Sequence, residues 1–192
     1  MKILIVSATS KEYKLDYPHI ISGVGMVSTS ISVTKEIIRN KYDLVINAGI
    51  AGSFRKDIEL GSVVEVVKDQ ISEIGAQSRD DFLSPSQIGL DVQNIIEMPS
   101  KTNFQSVSGI TVNTIHGNNH SINQIIKRLN PDVETMEGAA CMIACKNMGV
   151  PCVQIRSISN YIEERNKSNW KIDFAIENLN SELNKFIKIL WR

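Results

Sequence analysis

Runs of apolar, often β-branched residues alternate along this chain with segments in which apolar residues recur every three or four positions. The runs are apolar on both faces of a strand, which is typical of a largely parallel sheet covered by helices on both sides. The pattern therefore predicts an α/β fold. The predicted strands are residues 2–8, 19–23, 43–49, 61–67, 105–114, 132–136 and 151–158.

The helical period is clearest near the end of the chain, where one apolar stripe runs through residues 172–190. Shorter helices are predicted at residues 26–40, 120–129 and 137–148, the last of them ended by Gly149 and Pro151. Residues 78–103 are polar and weakly patterned. We expect them to form a loop with one short helix at most.

Length and charge narrow the class of protein. A chain of 192 residues, 42% hydrophobic and 22% charged, predicts one globular domain over residues 1–192. Lys plus Arg equals Asp plus Glu at 21 each, so no net charge attracts a nucleic-acid backbone or an anionic membrane. Neither a membrane-spanning run nor a secretory signal stands out, and we expect a cytoplasmic protein.

The cysteines do not indicate a metal site. Cys141 and Cys145 lie four residues apart on a predicted helix, and Cys152 follows on the next strand. No His or second Cys pair at suitable spacing completes a set of zinc ligands. We interpret all three as structural thiols, and the sequence predicts neither a metal nor a cofactor.

Unusual residues follow several predicted strands, where an open α/β sheet binds its ligands. They are Glu12, the Gly23–Gly25 turn, the glycine-rich residues 47–52, Glu137 and residues 156–160. Each has a structural alternative: Glu12 as a surface acid, Glu137 as a first-turn helix acid, Arg156 in a buried ion pair. Their convergence on one rim of the sheet favours a ligand site.

Gly23 and Gly25 between a strand and a helix also invite a dinucleotide-binding interpretation. However, Ser28 replaces the third glycine of that fingerprint, and Asn47 stands where a ribose-binding acid is expected. A nicotinamide or flavin enzyme is therefore disfavoured. The glycines alternatively serve a tight turn and helix packing.

The order of these motifs resembles the purine nucleoside phosphorylase and nucleosidase superfamily over nearly the whole chain. The matching segments are Glu12 and residues 22–25, 47–52, 61–64, 133–140 and 156–160. Residues 109–117 and 158–163, with Asn166 and Trp170, resemble the futalosine hydrolase branch. The resemblance implies a three-layer α/β/α fold around a mixed, mostly parallel sheet. Only nine residues separate Glu12 from Ser22, which implies that one sheet edge is trimmed.

The resemblance further implies hydrolysis of the N-ribosyl bond of futalosine, giving hypoxanthine and dehypoxanthine futalosine, a step of an alternative menaquinone pathway. Glu12 matches the acid that activates water, with Arg156 orienting it, and Asn160 matches the residue facing the base. These three are the predicted catalytic residues. The predicted substrate-binding residues are Ala51, Gly52, Ile115, His116, Met136, Glu137 and Ser159. Among them, Glu137 matches the acid that accepts hydrogen bonds from the ribose 2′- and 3′-hydroxyls.

Asn160 discriminates between substrates. In the adenine-releasing relatives an Asp stands at this position, whereas an amide offers both a donor and an acceptor. Its NH₂ can donate to a 6-oxo group while its carbonyl accepts from a protonated nitrogen 7. Asn160 therefore favours a 6-oxopurine such as hypoxanthine.

Three alternatives stay open at this point. A phosphorylase lacks support because its arginine clamps are missing and Glu12 would repel phosphate. A methylthioadenosine/adenosylhomocysteine nucleosidase and a non-catalytic nucleoside-binding protein are the others. The expected partner is a small nucleoside, in a homo-oligomer of two or more chains. Arg55, Arg79 and Lys101 are candidates to meet the 5′ carboxylate of futalosine, and His116 and Phe82 to contact the base or ribose.

Overall fold

The computed structural model describes residues 1–79 and 81–190. Asp80, inside the predicted loop, and Trp191 and Arg192, at the end of the predicted domain, lie outside the described residues. The strands are β1 (Ile3–Ser7), β2 (His19–Ile21), β3 (Leu44–Ser53), β4 (Val63–Ile71), β5 (Ala76–Ser78), β6 (Asp81–Leu83), β7 (Ile95–Glu97), β8 (Gln105–Thr111), β9 (Val133–Thr135) and β10 (Cys152–Tyr161). The helices are α1 (Met26–Arg39), α2 (Asn119–Leu129), α3 (Gly138–Asn147) and α4 (Ile172–Leu190).

Eight strands form one mixed sheet in the order β10-β4-β8-β9-β3-β1-β2, with β7 added beside β4. The pairings β10–β4, β3–β9 and β4–β7 are antiparallel and the other five are parallel. Because β10 also pairs with β3 along its length, the strands β10, β4, β8, β9 and β3 close into a small barrel. β2, only three residues long, is the last strand at the other edge.

Helices cover both faces of the sheet, and β1 shows why. Its alternate residues Ile3 and Ile5 pack with Leu179 and Leu183 of α4 on one face. On the other face, Leu4 and Val6 pack in a cluster with residues of α1 and α3. A strand buried on both faces must be apolar throughout, which explains the continuous run in the sequence. The predicted α/β fold class is confirmed.

The structure corrects the prediction for residues 78–103. The predicted loop with one short helix contains the 3-10 turn Ser86–Ile88, but it also contains the hairpin strand β6 and the strand β7. β7 carries a single buried residue, Ile96, so three residues gave too short a pattern to recognise. The four predicted helices are confirmed to within one residue at each end. In the described part of the chain, no helix has both the length and the apolar character of a membrane span.

A buried acid on β4 helps to position the start of α3. The Asp69 side chain is fully buried, and it accepts hydrogen bonds from Thr111 Oγ1 at 3.0 Å and from Gln154 Nε2 at 3.1 Å. A side chain at Gly138, the first residue of α3, would collide with Asp69 and Gln154. Burial raises the pKa of Asp69 to about 6, although both hydrogen bonds favour the charged form.

This raised pKa predicts a pH-dependent stability. The folded state binds the Asp69 proton more tightly than the unfolded state, so its contribution to stability falls as the pH rises from about 4 to about 6. In Asp69→Asn, the amide can accept from Thr111 and donate to Gln154 Oε1, which has no partner among the described residues. We expect the variant to gain about 1–3 kcal/mol of unfolding free energy at pH 7.5 and little at pH 4.

Urea denaturation at both pH values measures this difference. Asp16→Asn, which changes an exposed acid, is the matched control and should leave the free energy of unfolding unchanged at both pH values. An equal change at both pH values in Asp69→Asn would contradict the proposed origin of the pH dependence.

Candidate active site

A cavity of about 750 Å³ opens where β1, β3, β9 and β10 end, a size suited to a nucleoside. Nine of the ten site residues predicted from the sequence line it, and the tenth, Arg156, lies behind the wall. The nine are Glu12, Ala51, Gly52, Ile115, His116, Met136, Glu137, Ser159 and Asn160. The partly closed sheet thus gathers residues from distant parts of the sequence around one space.

Arg156 is 1% exposed and lies beneath Gly49 at the centre of the sheet. Its Nη2 donates a hydrogen bond to Asn47 Oδ1. A methyl group at Gly49 would collide with Arg156 Nη1 and would lie 2.9 Å from Glu12 Oε1. The guanidinium and the Glu12 carboxylate therefore approach each other across Gly49, and only glycine leaves room for both.

Glu12 is held by the loop in which it stands. Its Oε2 accepts from the Thr9 backbone N–H at 2.9 Å and from Thr9 Oγ1 at 3.1 Å, while Oε1 accepts from the Ile50 N–H at 3.4 Å. The carboxylate lines the cavity and so has the position of an acceptor for a bound water. It is not a solvated surface acid.

Glu137 is not the helix cap that a first-turn acid suggests. The first N–H groups of α3 are bound by the Thr135 and Thr111 hydroxyls, at 3.2 and 2.8 Å. The Glu137 carboxylate instead accepts the N–H of Gly25 at 2.9 Å, so the Gly23–Gly25 turn holds a carboxylate. Burial raises the pKa of Glu137, and the nearby charge of Arg156 opposes that rise.

Asn160 has a defined amide orientation. Ser159 Oγ donates to Asn160 Oδ1 at 2.8 Å, and Asn160 Nδ2 donates to the Tyr161 carbonyl at 3.1 Å. An amide has two N–H groups and two lone pairs, so each end keeps one position for a ligand. The side chain can therefore donate to one ligand atom and accept from a neighbouring one.

Sequence reasoning missed several residues of the cavity wall. Glu134 is buried and contacts His116 with both carboxylate oxygens. The only indication in the sequence was that Glu134 is an acid directly before the Thr-Met-Glu-Gly motif, and no neighbouring residue indicates that it is buried. Lys11 and Lys14 also line the cavity, as does Trp170, whose ring lies 5.0 Å from the Arg165 guanidinium.

The candidates for the 5′ end of the substrate need correction. Arg55 pairs with Asp57 and Asp132 and does not line the cavity. Arg79 and Lys101 do not line it either. Phe82, the candidate to contact the base or ribose, is also outside the cavity and packs against Arg128. The lysines of the cavity wall are Lys11 and Lys14, which the sequence analysis did not single out.

The three cysteines lie together. The Sγ atoms of Cys141, Cys145 and Cys152 are within 4.8 Å of one another, buried in the apolar cluster between the sheet and the helices α1 and α3. Within residues 1–79 and 81–190 this is the one group of three or more potential metal ligands. Three thiols leave a tetrahedral zinc ion one ligand short, and their apolar surroundings suit a structural role.

The sequence matches a known family over most of its length. A model of the phosphorylase superfamily matches residues 19–192. Futalosine hydrolase from Streptomyces coelicolor is 27% identical in an alignment of 158 positions that covers 78% of this chain and 67% of the relative. Aminodeoxyfutalosine nucleosidase from Helicobacter pylori is 23% identical in an alignment of 178 positions that covers 87% of this chain and 76% of the relative. A 5′-methylthioadenosine/S-adenosylhomocysteine nucleosidase from Buchnera aphidicola is 25% identical in an alignment of 199 positions, gaps included, that covers 98% of this chain and 83% of the relative.

Solved structures share the fold. Native futalosine hydrolase of Helicobacter pylori superimposes with a TM-score of 0.82 at 17% identity, over 97% of each chain. The methylthioadenosine/adenosylhomocysteine nucleosidase of Streptococcus pneumoniae, in complex with 8-aminoadenine, gives 0.78 at 20% identity over 98% of this chain and 99% of that chain. Such identities establish the architecture and leave the substrate open. The chain belongs to the phosphorylase superfamily, and the curated relatives that it matches are nucleosidases.

Proposed function

We propose that this protein is a nucleosidase that hydrolyses the N-ribosyl bond of futalosine and releases hypoxanthine. The observation that carries the proposal is the meeting of Glu12, Glu137 and Asn160 around one cavity of nucleoside size. Cleavage of an N-glycosidic bond needs a base for water, an anchor for the ribose and stabilisation of the departing purine. These three side chains supply the three groups.

Glu12 acts on water in this proposal. Its carboxylate, fixed by Thr9 and Ile50, accepts a proton from a water that attacks carbon 1 of the ribose. The bond to the purine breaks as the new C–O bond forms, nitrogen 7 of the leaving base takes up a proton from solvent, and Glu12 then returns its proton to solvent. Arg156, on the other side of Gly49, contributes a fixed positive charge beneath the two acids. Glu137 accepts from the ribose hydroxyls, with Met136 alongside.

Asn160 selects the base. Its remaining N–H can donate to the 6-oxo group, and its remaining lone pair can accept from a protonated nitrogen 7. The Tyr161 carbonyl, which can only accept, fixes which end of the amide carries the NH₂. A 6-aminopurine offers a donor where this N–H points, so two donors would face each other.

Water is preferred to phosphate as the nucleophile. A phosphorylase binds a dianion next to the ribose, where positive side chains are required. At this position the cavity presents the Glu12 carboxylate, and Arg156 is shielded behind Gly49. The carboxylate would repel phosphate, whereas it can bind and activate water.

A methylthioadenosine/adenosylhomocysteine nucleosidase is the second candidate, supported by the curated relative from Buchnera aphidicola. Asn160 favours futalosine over both substrates of that enzyme, because it suits a 6-oxopurine. Lys11, Lys14 and Trp170 line the cavity and suit an aromatic group that ends in a carboxylate. The lysines disfavour methylthioadenosine, whose thioether offers them no partner, but not adenosylhomocysteine, which carries a carboxylate.

The remaining expectations belong to this proposal. A futalosine hydrolase would act in the cytoplasm, on a small nucleoside, in an alternative pathway to menaquinone. The homo-oligomer stays a prediction, for which α1 offers a surface. Its outer face exposes Val27, Ile31 and Ile38, an apolar stripe that a second copy could cover.

The decisive assay compares nucleosides. We expect the purified protein, in phosphate-free buffer, to release hypoxanthine from futalosine faster than hypoxanthine from inosine or adenine from methylthioadenosine, as followed by chromatography. Release that requires added phosphate would instead indicate a phosphorylase. Tight binding without turnover of any of the three would indicate a binding protein.

Removing the charge of Glu12 tests its role as the catalytic base that activates water. We expect Glu12→Gln to lower kcat on futalosine by about 10²–10⁴-fold, because the amide cannot accept the proton of water. Glu177→Gln, an exposed change on α4, is the matched control and should keep full activity. Thermal unfolding of both variants checks the fold, and wild-type turnover by Glu12→Gln would rule out this role.

Asn160 is tested by a change in product preference. We expect Asn160→Asp to lower the ratio of hypoxanthine release to adenine release by at least about tenfold, since the carboxylate no longer donates to the 6-oxo group. The ratio is measured with futalosine and its 6-amino analogue. Asn123→Asp, on the exposed face of α2, controls for the added charge. An unchanged ratio would show that Asn160 does not contact the base.

A further inference from the structure

Glu134 and His116 form a pair in the wall of the cavity. The Glu134 side chain, on β9, is 1% exposed. Its Oε1 accepts the His116 backbone N–H at 2.9 Å, and its Oε2 contacts the ring nitrogen Nδ1. The His116 side chain is 15% exposed and lines the cavity. A buried carboxylate thus uses both oxygens on one residue that faces the ligand site.

The carboxylate determines which ring nitrogen carries the proton. A carboxylate oxygen only accepts, so Nδ1 must donate. In the neutral imidazole the other nitrogen, Nε2, then presents a lone pair. No residue in the described ranges makes a hydrogen bond to Nε2. His116 therefore offers the cavity an acceptor whose orientation is fixed from behind.

The strand register relates Glu134, which holds His116, to Asn160. Gly52 on β3 pairs with Glu134 on β9 and also with Asn160 on β10. Adjacent strands lie about 4.8 Å apart, so Glu134 and Asn160 stand on the two sides of Gly52, roughly 10 Å from each other. Ile162 packs over Gly52 and lines the cavity. A flat base packed against Ile162 in the cavity would have Asn160 on one side and His116, held by Glu134, on the other.

We propose that His116 Nε2 accepts the N1–H of a 6-oxopurine and that Glu134 is the positioning residue that imposes this tautomer. The inference rests on the proposed function in taking the base to be a 6-oxopurine. A 6-aminopurine has a lone pair at nitrogen 1, which would face the lone pair of Nε2. Asn160 and His116 then recognise two different edges of the base, and both disfavour adenine.

Glu134→Gln tests the tautomer directly. The carbonyl of the new glutamine can still accept the hydrogen bond from the His116 backbone N–H. The glutamine NH₂ then points toward His116 Nδ1. Nδ1 must then accept, the ring proton moves to Nε2, and the acceptor becomes a donor. We expect the ratio of hypoxanthine affinity to adenine affinity to fall at least about tenfold, through weaker binding of hypoxanthine and tighter binding of adenine. Titration calorimetry with the two free bases measures it without turnover.

Glu73→Gln is the matched control. Glu73 Oε2 accepts two hydrogen bonds from Asn113 of the same loop, from the Asn113 backbone N–H at 3.1 Å and from Asn113 Nδ2 at 3.0 Å, but Glu73 is exposed and outside the cavity. If Glu134 only fastens the loop, the two variants should behave alike. We expect Glu73→Gln to keep the wild-type preference.

His116→Ala and 1-methylhypoxanthine keep the test valid if Glu134→Gln does not fold. The methylated base lacks the N1–H, so the wild type should bind it at least about tenfold more weakly than hypoxanthine, and His116→Ala should not distinguish the two. Wild-type preferences in His116→Ala and Glu134→Gln would overturn the inference, even if futalosine is hydrolysed. The expected shifts in a protein that does not cleave futalosine would support the inference and reject the proposed function.

Discussion

The buried charge of Arg156 is the constraint on which the rest of the site depends. A guanidinium in the middle of a sheet is costly unless hydrogen bonds and opposite charges surround it. Asn47 accepts from it directly, Glu12 approaches it across Gly49, and its charge acts on the carboxyl groups of Glu137 and Asp69. These five side chains therefore form one electrostatic unit. Changing any one of them alters the environment of the others.

The closure of the sheet forms the cavity, which is lined by Glu12 and Glu137 of this electrostatic unit. In an open sheet the ends of β3, β9 and β10 would lie side by side along one rim. Here β10 pairs with both β3 and β4, and the C-terminal end of β3 turns to pair with β9. Gly52 consequently has Glu134 on one side and Asn160 on the other. Fixed polar groups surround the cavity before any ligand arrives, which limits the rearrangement that binding requires.

The sequence predicted the helices and most strands because each buries a continuous or periodic apolar surface, as β1 and α4 do. It predicted Glu12, Glu137 and Asn160 because their positions at strand ends match a family pattern. It did not predict the partners that define their roles. Glu137 binds the N–H of Gly25, 112 residues away. Glu134, on β9, binds His116 in the loop that follows β8. Such contacts depend on the register between strands, and no local pattern encodes it. β7 was missed because three residues at an edge carry too little periodicity.

The distinction between substrates within this fold must arise from very few atoms. Solved structures at 15–20% identity share this architecture, so the architecture alone does not identify the base. A purine presents the same shape in both cases, and the two bases differ only in the donors and acceptors at positions 6 and 1. A site can respond to that difference only with side chains whose hydrogen-bonding direction is held fixed. The Tyr161 carbonyl fixes the amide of Asn160, and Glu134 fixes the ring of His116. Under the proposed function, the groups behind the contact layer therefore determine specificity as much as the residues proposed to touch the base.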